Sequence, residues 1–320
     1  MRVRDALLVL LVATAIQPGR PVSAQPRETA GVITEIKVGP GKVDIRAAGG
    51  PWRPAAPLQA LRAGDEVRAS DGASVVVLLI GGRGVVKVDA KNSPYVVASA
   101  VADEGKVDKA LTLVAGRFKF LTAGPKDPPK AVLATRSTAR PPEVLTPRNG
   151  PVLPGALTFE WLGRPSARYT VRIAGPSDVI VEQKGVVGTR FEYPAGAPPL
   201  QPGVRYRVEV IALNQPPQQA TFEIADAARA RAVQADLGAL ENTLGAGTPP
   251  SSIAAARAGY LAEIGLLHDA RLTVLAALAR DPDEPVLHTL LGMLYTETGL
   301  PRQAAEAFDE AQSLMTRGTK

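Results

Sequence analysis

Hydrophobic and polar positions divide the chain into three stretches with different periods. Across residues 31–121, short β-rich runs (GVITEIKVG, KVDIRA, DEVRAS, SVVVLLI, GVVKVDA, YVVASA and LTLVAGRFKFL) are interrupted by glycines, which predicts an all-β module. Residues 75–80 are apolar on both faces, so at least one strand should be covered on two sides. Gly49 with Gly50, Asp71 with Gly72 and Gly81 with Gly82 supply hairpin turns, and Gly64 and Asp65 read as a turn in which the carboxylate accepts backbone N–H groups.

After a proline-rich stretch containing GPKDPPK and ARPP, the alternation changes style. LTFEW, YTVRIAG, VIVEQ, RFEYP, VRYRVEVIAL and QATFEI alternate apolar and polar residues, as half-buried antiparallel strands do, and their spacing predicts a sandwich of about seven strands. The last stretch has helical periodicity. Ala230, Val233, Leu237, Leu240 and Leu244 form one stripe, closed by Gly245 and the prolines at 249 and 250. From there the chain repeats with a period of 34 residues: Ala258 aligns with Gly292, Leu261 with Tyr295, Gly265 with Gly299, Ala270 with Ala304, Val274 with Phe308 and Ala277 with Ala311.

Gly292 stands among the helical apolar residues Leu287, Leu290, Leu291, Leu294 and Tyr295, where glycine costs about 1 kcal/mol against alanine. The small residues at 258 and 292 are read as close helix crossings whose packing offsets that cost. Gly265 and Gly299 are read as left-handed caps, with Pro301 opening the next helix.

Charge and composition refine this picture. The chain carries a net charge of +6, yet residues 27–124 hold 14 basic and 10 acidic side chains whereas residues 226–320 hold 8 basic and 12 acidic, so the two ends differ in sign. Basic residues are scattered singly without interleaved aromatics, which argues against nucleic acid. No cysteine is present, which excludes disulfides, thiol nucleophiles and zinc–thiolate sites. His268 and His288 lack ligand spacing and are expected on helix surfaces. Arg2 and Arg4, the apolar residues 6–16 and the Val22-Ser23-Ala24 site read as an export signal over residues 1–24, and no later stretch is long and apolar enough to span a bilayer. The expectation is a periplasmic protein.

These residues carry three family resemblances. Gly31, Val32, Gly41, Val43, Ile45, Trp52 and the run LRAGDEVRASDGASVVVLL resemble the FecR-like domain of bacterial envelope proteins. The membrane helix and cytoplasmic tail typical of FecR transducers are missing, which argues against sigma-factor signalling. Residues 143–225 resemble a fibronectin type III domain through Trp161 and the run LQPGVRYRVEV, in which Leu200, Pro202, Gly203 and Tyr206 match the turn into the tyrosine-bearing strand. That resemblance implies core roles for Trp161 and Tyr206. The 34-residue period resembles the tetratricopeptide (TPR) repeat. The expected architecture is therefore multidomain: a FecR-like β domain over 27–124, a linker over 125–142, a β-sandwich over 143–225 and an all-α TPR-like region over 226–320. Two repeats are fewer than a stable stack needs, so the helix starting near Asp226, or a second copy, is expected to cap them.

No GxSxG, P-loop, HExxH or dinucleotide fingerprint occurs, and no cofactor, metal or enzymatic activity is expected. GGRG at Gly81 is read as a hairpin turn, and the acidic run 281–285 as charge at a helix N-terminus. The TPR resemblance implies peptide binding on the face made by the first helix of each pair. Carried onto this chain, that face comprises Ser252, Ala255, Gly259, Ala262 and Glu263, then Val286, Thr289, Met293, Thr296 and Glu297. The alternative for this face is packing against the protein's own flanking helix or another copy. The expected function is a scaffold or sensor that recruits envelope proteins through its tail. The rival is peptidoglycan or polysaccharide binding by the first domain, whose aromatic residues are Trp52, Tyr95, Phe118 and Phe120.

Overall fold

A computed structural model describes residues 29–80, 84–98, 118–124 and 141–317. The export signal, the Gly81–Gly82 turn and all but the end of the linker lie outside the described residues.

The first β region consists of two four-stranded sheets. One has the order β4 (Ala60–Arg62), β1 (Thr29–Lys37), β6 (Ser74–Leu79), β7 (Val85–Asp89), and the other the order β3 (Arg53–Pro54), β2 (Val43–Arg46), β5 (Glu66–Ala69), β8 (Tyr95–Val96). Neighbouring strands pair antiparallel; β6 and β7 are consecutive, with Leu78 opposite Val85. In the turn before β5, Asp65 accepts from the Arg62 N–H at 2.8 Å and Gly64 takes φ +84°. The run expected to end this region as a strand does not do so where it is described: residues 119–122 form a single helical turn, α1 (Lys119–Thr122). It pairs with no strand among the described residues, and Leu121 is buried mainly against a helix instead.

The second region pairs a three-stranded sheet, β14 (Arg190–Glu192), β11 (Thr158–Leu162), β9 (Glu143–Thr146), with a five-stranded one, β10 (Gly150–Val152), β16 (Gln218–Ile224), β15 (Arg205–Ala212), β12 (Arg168–Ala174), β13 (Val179–Val187). Alternation puts Phe159 and Trp161 of one sheet against Tyr169, Val171, Ile173, Val208 and Phe222 of the other, in a core of their own. Trp161 is fully buried and meets Tyr169 edge-on, with ring centroids 5.2 Å apart. The Tyr206 hydroxyl accepts from the Gln201 N–H at 2.6 Å and ties the turn to the strand that follows.

Then come α2 (Ala227–Leu244), α3 (Pro250–Glu263), α4 (Leu267–Leu278), α5 (Pro285–Glu297) and α6 (Pro301–Arg317). Asp226 caps α2 by accepting the Arg229 N–H at 2.7 Å. Gly265 (φ +81°) and Gly299 (φ +74°) end α3 and α5, and the following residues, Leu266 and Leu300, donate back to the Leu261 and Tyr295 carbonyls. A Cβ on Gly292 would lie 2.6 Å from the Phe308 ring, so glycine permits the α5–α6 crossing. Against α3, α2 packs by Val233, Leu237, Leu240 and Leu244, with Tyr260 donating to Asp236.

These helices and the first β region share one hydrophobic core, although more than a hundred residues separate them in sequence. Seven of the nine residues of β1 are buried, because its sheet neighbours flank it while α3 and α5 cover a face. Separate cores for residues 27–124 and 226–320 are therefore not what the structure contains. The sandwich keeps its own core and meets the helices through Leu145 and Leu153, which pack against the shared core, and through polar contacts: Arg271 pairs with Glu160 at 2.8 Å, Arg148 donates to the Thr298 carbonyl at 2.9 Å and the Leu153 N–H donates to Asp269 at 3.1 Å. His268, expected on a surface, is 7 % exposed in this junction, with Nδ1 2.6 Å from Thr146 Oγ1. His288 is half-buried beside the Pro282 carbonyl.

A fragment containing only residues 141–225 should unfold cooperatively, since its core is complete. Residues 29–124 without the helices should not, because β1 would present its helix-facing side to water. Thermal unfolding of the two fragments, followed by circular dichroism, checks both outcomes.

Candidate functional site

The face formed by α3 and α5 is built from small and apolar residues, which lets other elements approach its backbone closely. Two segments of the same chain occupy its first half. β1 crosses it at one end, where Thr34 Oγ1 donates to Ser252 Oγ at 3.1 Å and the Ile36 N–H donates to Glu284 Oε1 at 3.0 Å. Lys37 Nζ lies 2.6 Å from Asp281 and 2.9 Å from Glu284. Ser251 donates to the same Asp281 oxygen at 2.7 Å. At the other end, α1 inserts Leu121: a Cβ on Gly259 would come within 2.4 Å of its Cγ, and the Phe120 N–H donates to Glu263 at 2.7 Å.

The expected partner-binding residues thus separate into two groups. Ser252, Ala255, Gly259 and Ala262 are buried, and Glu263 is engaged by α1, so this half is closed to an outside ligand by the chain itself. Val286 is buried as well. The other four, Thr289, Met293, Thr296 and Glu297, border open space. A cavity of about 440 Å³ runs between the 56–60 loop and α6, lined by Pro57, Leu58, Thr289, Phe308, Ala311 and Met315. A smaller one of about 110 Å³ adjoins it, lined by Phe120, Met293, Thr296, Glu297 and Phe308. Both touch Gly124 and Phe308, so they read as one apolar groove. Pro57, Leu58 and Met315 carry no sequence signal for this role, because only the fold brings the 56–60 loop against α6.

Glu284 is the electrostatic centre of the β1 contact. Burial raises its pKa to about 7, against the opposing pull of the Ile36 N–H and Lys37. It also caps α5 by accepting the Val286 N–H at 3.3 Å, which explains the acidic run before that helix. Burial alone would raise Asp281, yet hydrogen bonds from Lys37 and Ser251 hold it below the ordinary value. In the sandwich junction, burial lowers His268 to about 4, with Arg271 assisting and Glu160 opposing, and raises Asp269 to about 6.

The aromatic residues of the first β region are placed unevenly for a sugar platform. Phe118 is buried and Phe120 packs against the helices. Trp52 is held by the Arg46 and Arg68 guanidinium groups, 4.6 and 4.3 Å from its ring centre, and Tyr95 is half-buried.

No family model matches the chain, and no curated protein matches it. Among solved structures it is similar to the crystal structure of a β-1,2-glucanase from Parabacteroides distasonis, at 10% identity and a TM-score of 0.22, covering 90% of this chain and 49% of that one. The chain spans about half the length of that structure. Because this neighbour is an enzyme, the expectation of no enzymatic activity is withdrawn; a likeness this weak carries no argument about what the present chain does.

Replacing Gly292 with leucine should destabilise the helical region by about 1–3 kcal/mol, because the added side chain must displace the Phe308 ring. Chemical denaturation checks the sign, since helix propensity alone would make leucine stabilising. A pH series tests the sandwich junction. Neutral His268 contributes stability that is present above pH 6.5 and is lost as pH falls through about 4, worth up to about 3 kcal/mol. Asp269 has the opposite sign: its contribution is present below its unfolded pKa of 3.8 and is lost as pH rises through about 6. On acidification from pH 6.5 to 4, His268→Gln should therefore lose less stability than the wild type and Asp269→Asn should lose more.

Proposed function

We propose that this chain is an exported envelope protein whose TPR-like helices hold a FecR-like β region and a fibronectin-like sandwich together and bind a partner protein through the groove between the 56–60 loop and α6. The partner segment is a short helical turn bearing aliphatic side chains. The observation that carries this reading is α1, a helical turn that already fills the neighbouring half of the same face with Leu121 and anchors a backbone N–H on Glu263. The open half offers similar chemistry: apolar walls at Leu58, Phe308 and Met315 and an exposed carboxylate at Glu297. Recognition of this kind places one or two apolar anchors of an amphipathic helix in a groove and leaves its polar face in water.

The capping glycines at 265 and 299, the Gly292 crossing and the α2 helix packed on α3 support the TPR part of the reading. The Tyr206 hydroxyl bonded back to Gln201 supports the fibronectin part. No helix among the described residues is long and apolar enough to cross a membrane, which is compatible with export.

Selection from a displayed peptide library against the full chain tests the groove. Recovered peptides should carry aliphatic residues three or four positions apart and lose about tenfold in affinity for a folded Met315→Glu variant. Enrichment of no sequence, or binding indifferent to Met315→Glu, would remove the groove as the partner site.

A further inference from the structure

A second cavity lies at the opposite end of the helical face, away from the groove, and is bordered by a carboxylate that the packing leaves unused. Glu35 of β1 is 6 % exposed and lines a cavity of about 330 Å³ together with Pro250, Ser251, Ala277, Arg280 and Asp281. Its neighbours have partners. Glu284 accepts the Ile36 N–H and pairs with Lys37, and Asp281 takes Lys37 and Ser251 on Oδ2. Among the described residues no hydrogen bond or ion pair reaches the Glu35 carboxylate. The Glu35 side chain as a whole is buried while its carboxylate faces the cavity, so its donor comes from the cavity side, from water or from a ligand that displaces it.

The charge balance points the same way. Lys37 is at bonding distance of Asp281 and Glu284 but acts on Glu35 only through space, so three carboxylates share one lysine. Lys87 acts on Glu35 only through space, and Arg280, exposed at the rim, has its Nε on the Ala276 carbonyl at 3.1 Å. The cavity also opens at the C-terminal end of α4, where the helix dipole favours a cation.

We propose that this cavity binds a primary ammonium group, which donates to the Glu35 carboxylate and to Asp281 Oδ1 while its aliphatic stem lies along Pro249, Pro250 and Ala277. An ammonium carries three donors in different directions, matching acceptors that arrive from β1 and from the end of α4. A guanidinium presents its donors in one plane and suits a single carboxylate better. The ammonium can come from a small free amine or from a lysine side chain of a peptide; the chemistry at Glu35 is the same. Burial holds Glu35 above the ordinary carboxylate range, Lys37 and Lys87 opposing and Asp281 adding to the rise, so binding should weaken on mild acidification as a proton takes the cation's place.

Calorimetric titration of the full chain with propylammonium chloride, at constant ionic strength, tests the site. Tetramethylammonium chloride serves as a cation without N–H donors, and Nα-acetyl-lysine amide represents the peptide source. Propylammonium or the lysine amide should bind at least about tenfold more tightly than tetramethylammonium, and Glu35→Gln should abolish that preference. Whichever of the two amines binds more tightly identifies the source. Equal affinity for propylammonium and tetramethylammonium, or no binding of either amine, overturns the proposal on the wild-type protein alone, whether or not the variant folds. Unchanged amine binding by a folded Glu35→Gln protein overturns it equally.

Discussion

Covering β1 on two sides is the constraint from which the rest of the arrangement follows. A strand in the middle of a sheet has its backbone groups satisfied by its neighbours, but β1 carries Thr34 and Glu35 into a region where water is largely excluded and ends on a half-buried Lys37. Buried polar groups need partners, and within the sheet Thr34 finds only the Val76 carbonyl at 3.4 Å. Ser252 bonds Thr34, Glu284 accepts the Ile36 N–H, and Asp281 with Glu284 pairs Lys37, from segments more than two hundred residues downstream, whereas Glu35 is left facing a cavity. Apolar burial gives this contact its strength; the polar pairs give it a register, since sliding β1 by one residue would leave Glu284 facing a different N–H and Lys37 away from its carboxylates.

Glu284 shows how two requirements can be met by one side chain. Its carboxylate caps α5 through the Val286 N–H and accepts the bulged strand's Ile36 N–H, so helix initiation and strand docking share an acceptor. Burying that acceptor raises its pKa, and Lys37 at 2.9 Å offsets part of the cost. The sandwich is attached by different physics. Its junction with the helices is made of Arg271 with Glu160, His268 with Thr146 and Asp269 with a backbone N–H, so it responds to pH, whereas the sandwich core itself is apolar. The helical region is thus a hub that holds one β unit by a shared core and the other by a smaller seam in which ion pairs and hydrogen bonds surround Leu145 and Leu153.

The face that a TPR-like region would offer to partners is half spent on internal contacts, and this changes what the remaining half can do. With β1 and Leu121 in place, the walls of the groove come from four sources: α5, α6, the α1 segment and the 56–60 loop of the first β region. A partner of the kind proposed would therefore meet a composite surface, and the integrity of that surface depends on the docking of β1. The two cavities are both largely apolar but differ in the charges on their walls: Glu35, Asp281 and Arg280 border one, whereas Phe308 and Met315 wall the other.

Features governed by short-range geometry were legible in the sequence. Helix caps at Gly265 and Gly299, the Asp65 turn, the alternation that buries Phe159 and Trp161, and the close crossing at Gly292 each follow from a few neighbouring residues and a fixed period. What occupies the α3–α5 face did not follow, because nothing near Leu121 or Lys37 in the chain indicates that the partner of each is a distant helix. His268 was misplaced for the same reason: helical periodicity does not distinguish a face open to water from one covered by a β-sandwich. The amino-acid order alone determined most of the elements, the glycine caps and the close α5–α6 crossing, since these are set by local hydrogen bonding and side-chain volume; the helical turn at residues 119–122, read as strand, was not among them. Only the tertiary structure decided which faces are covered, which carboxylates are buried and where the cavities lie, because those depend on contacts between segments that the chain holds far apart.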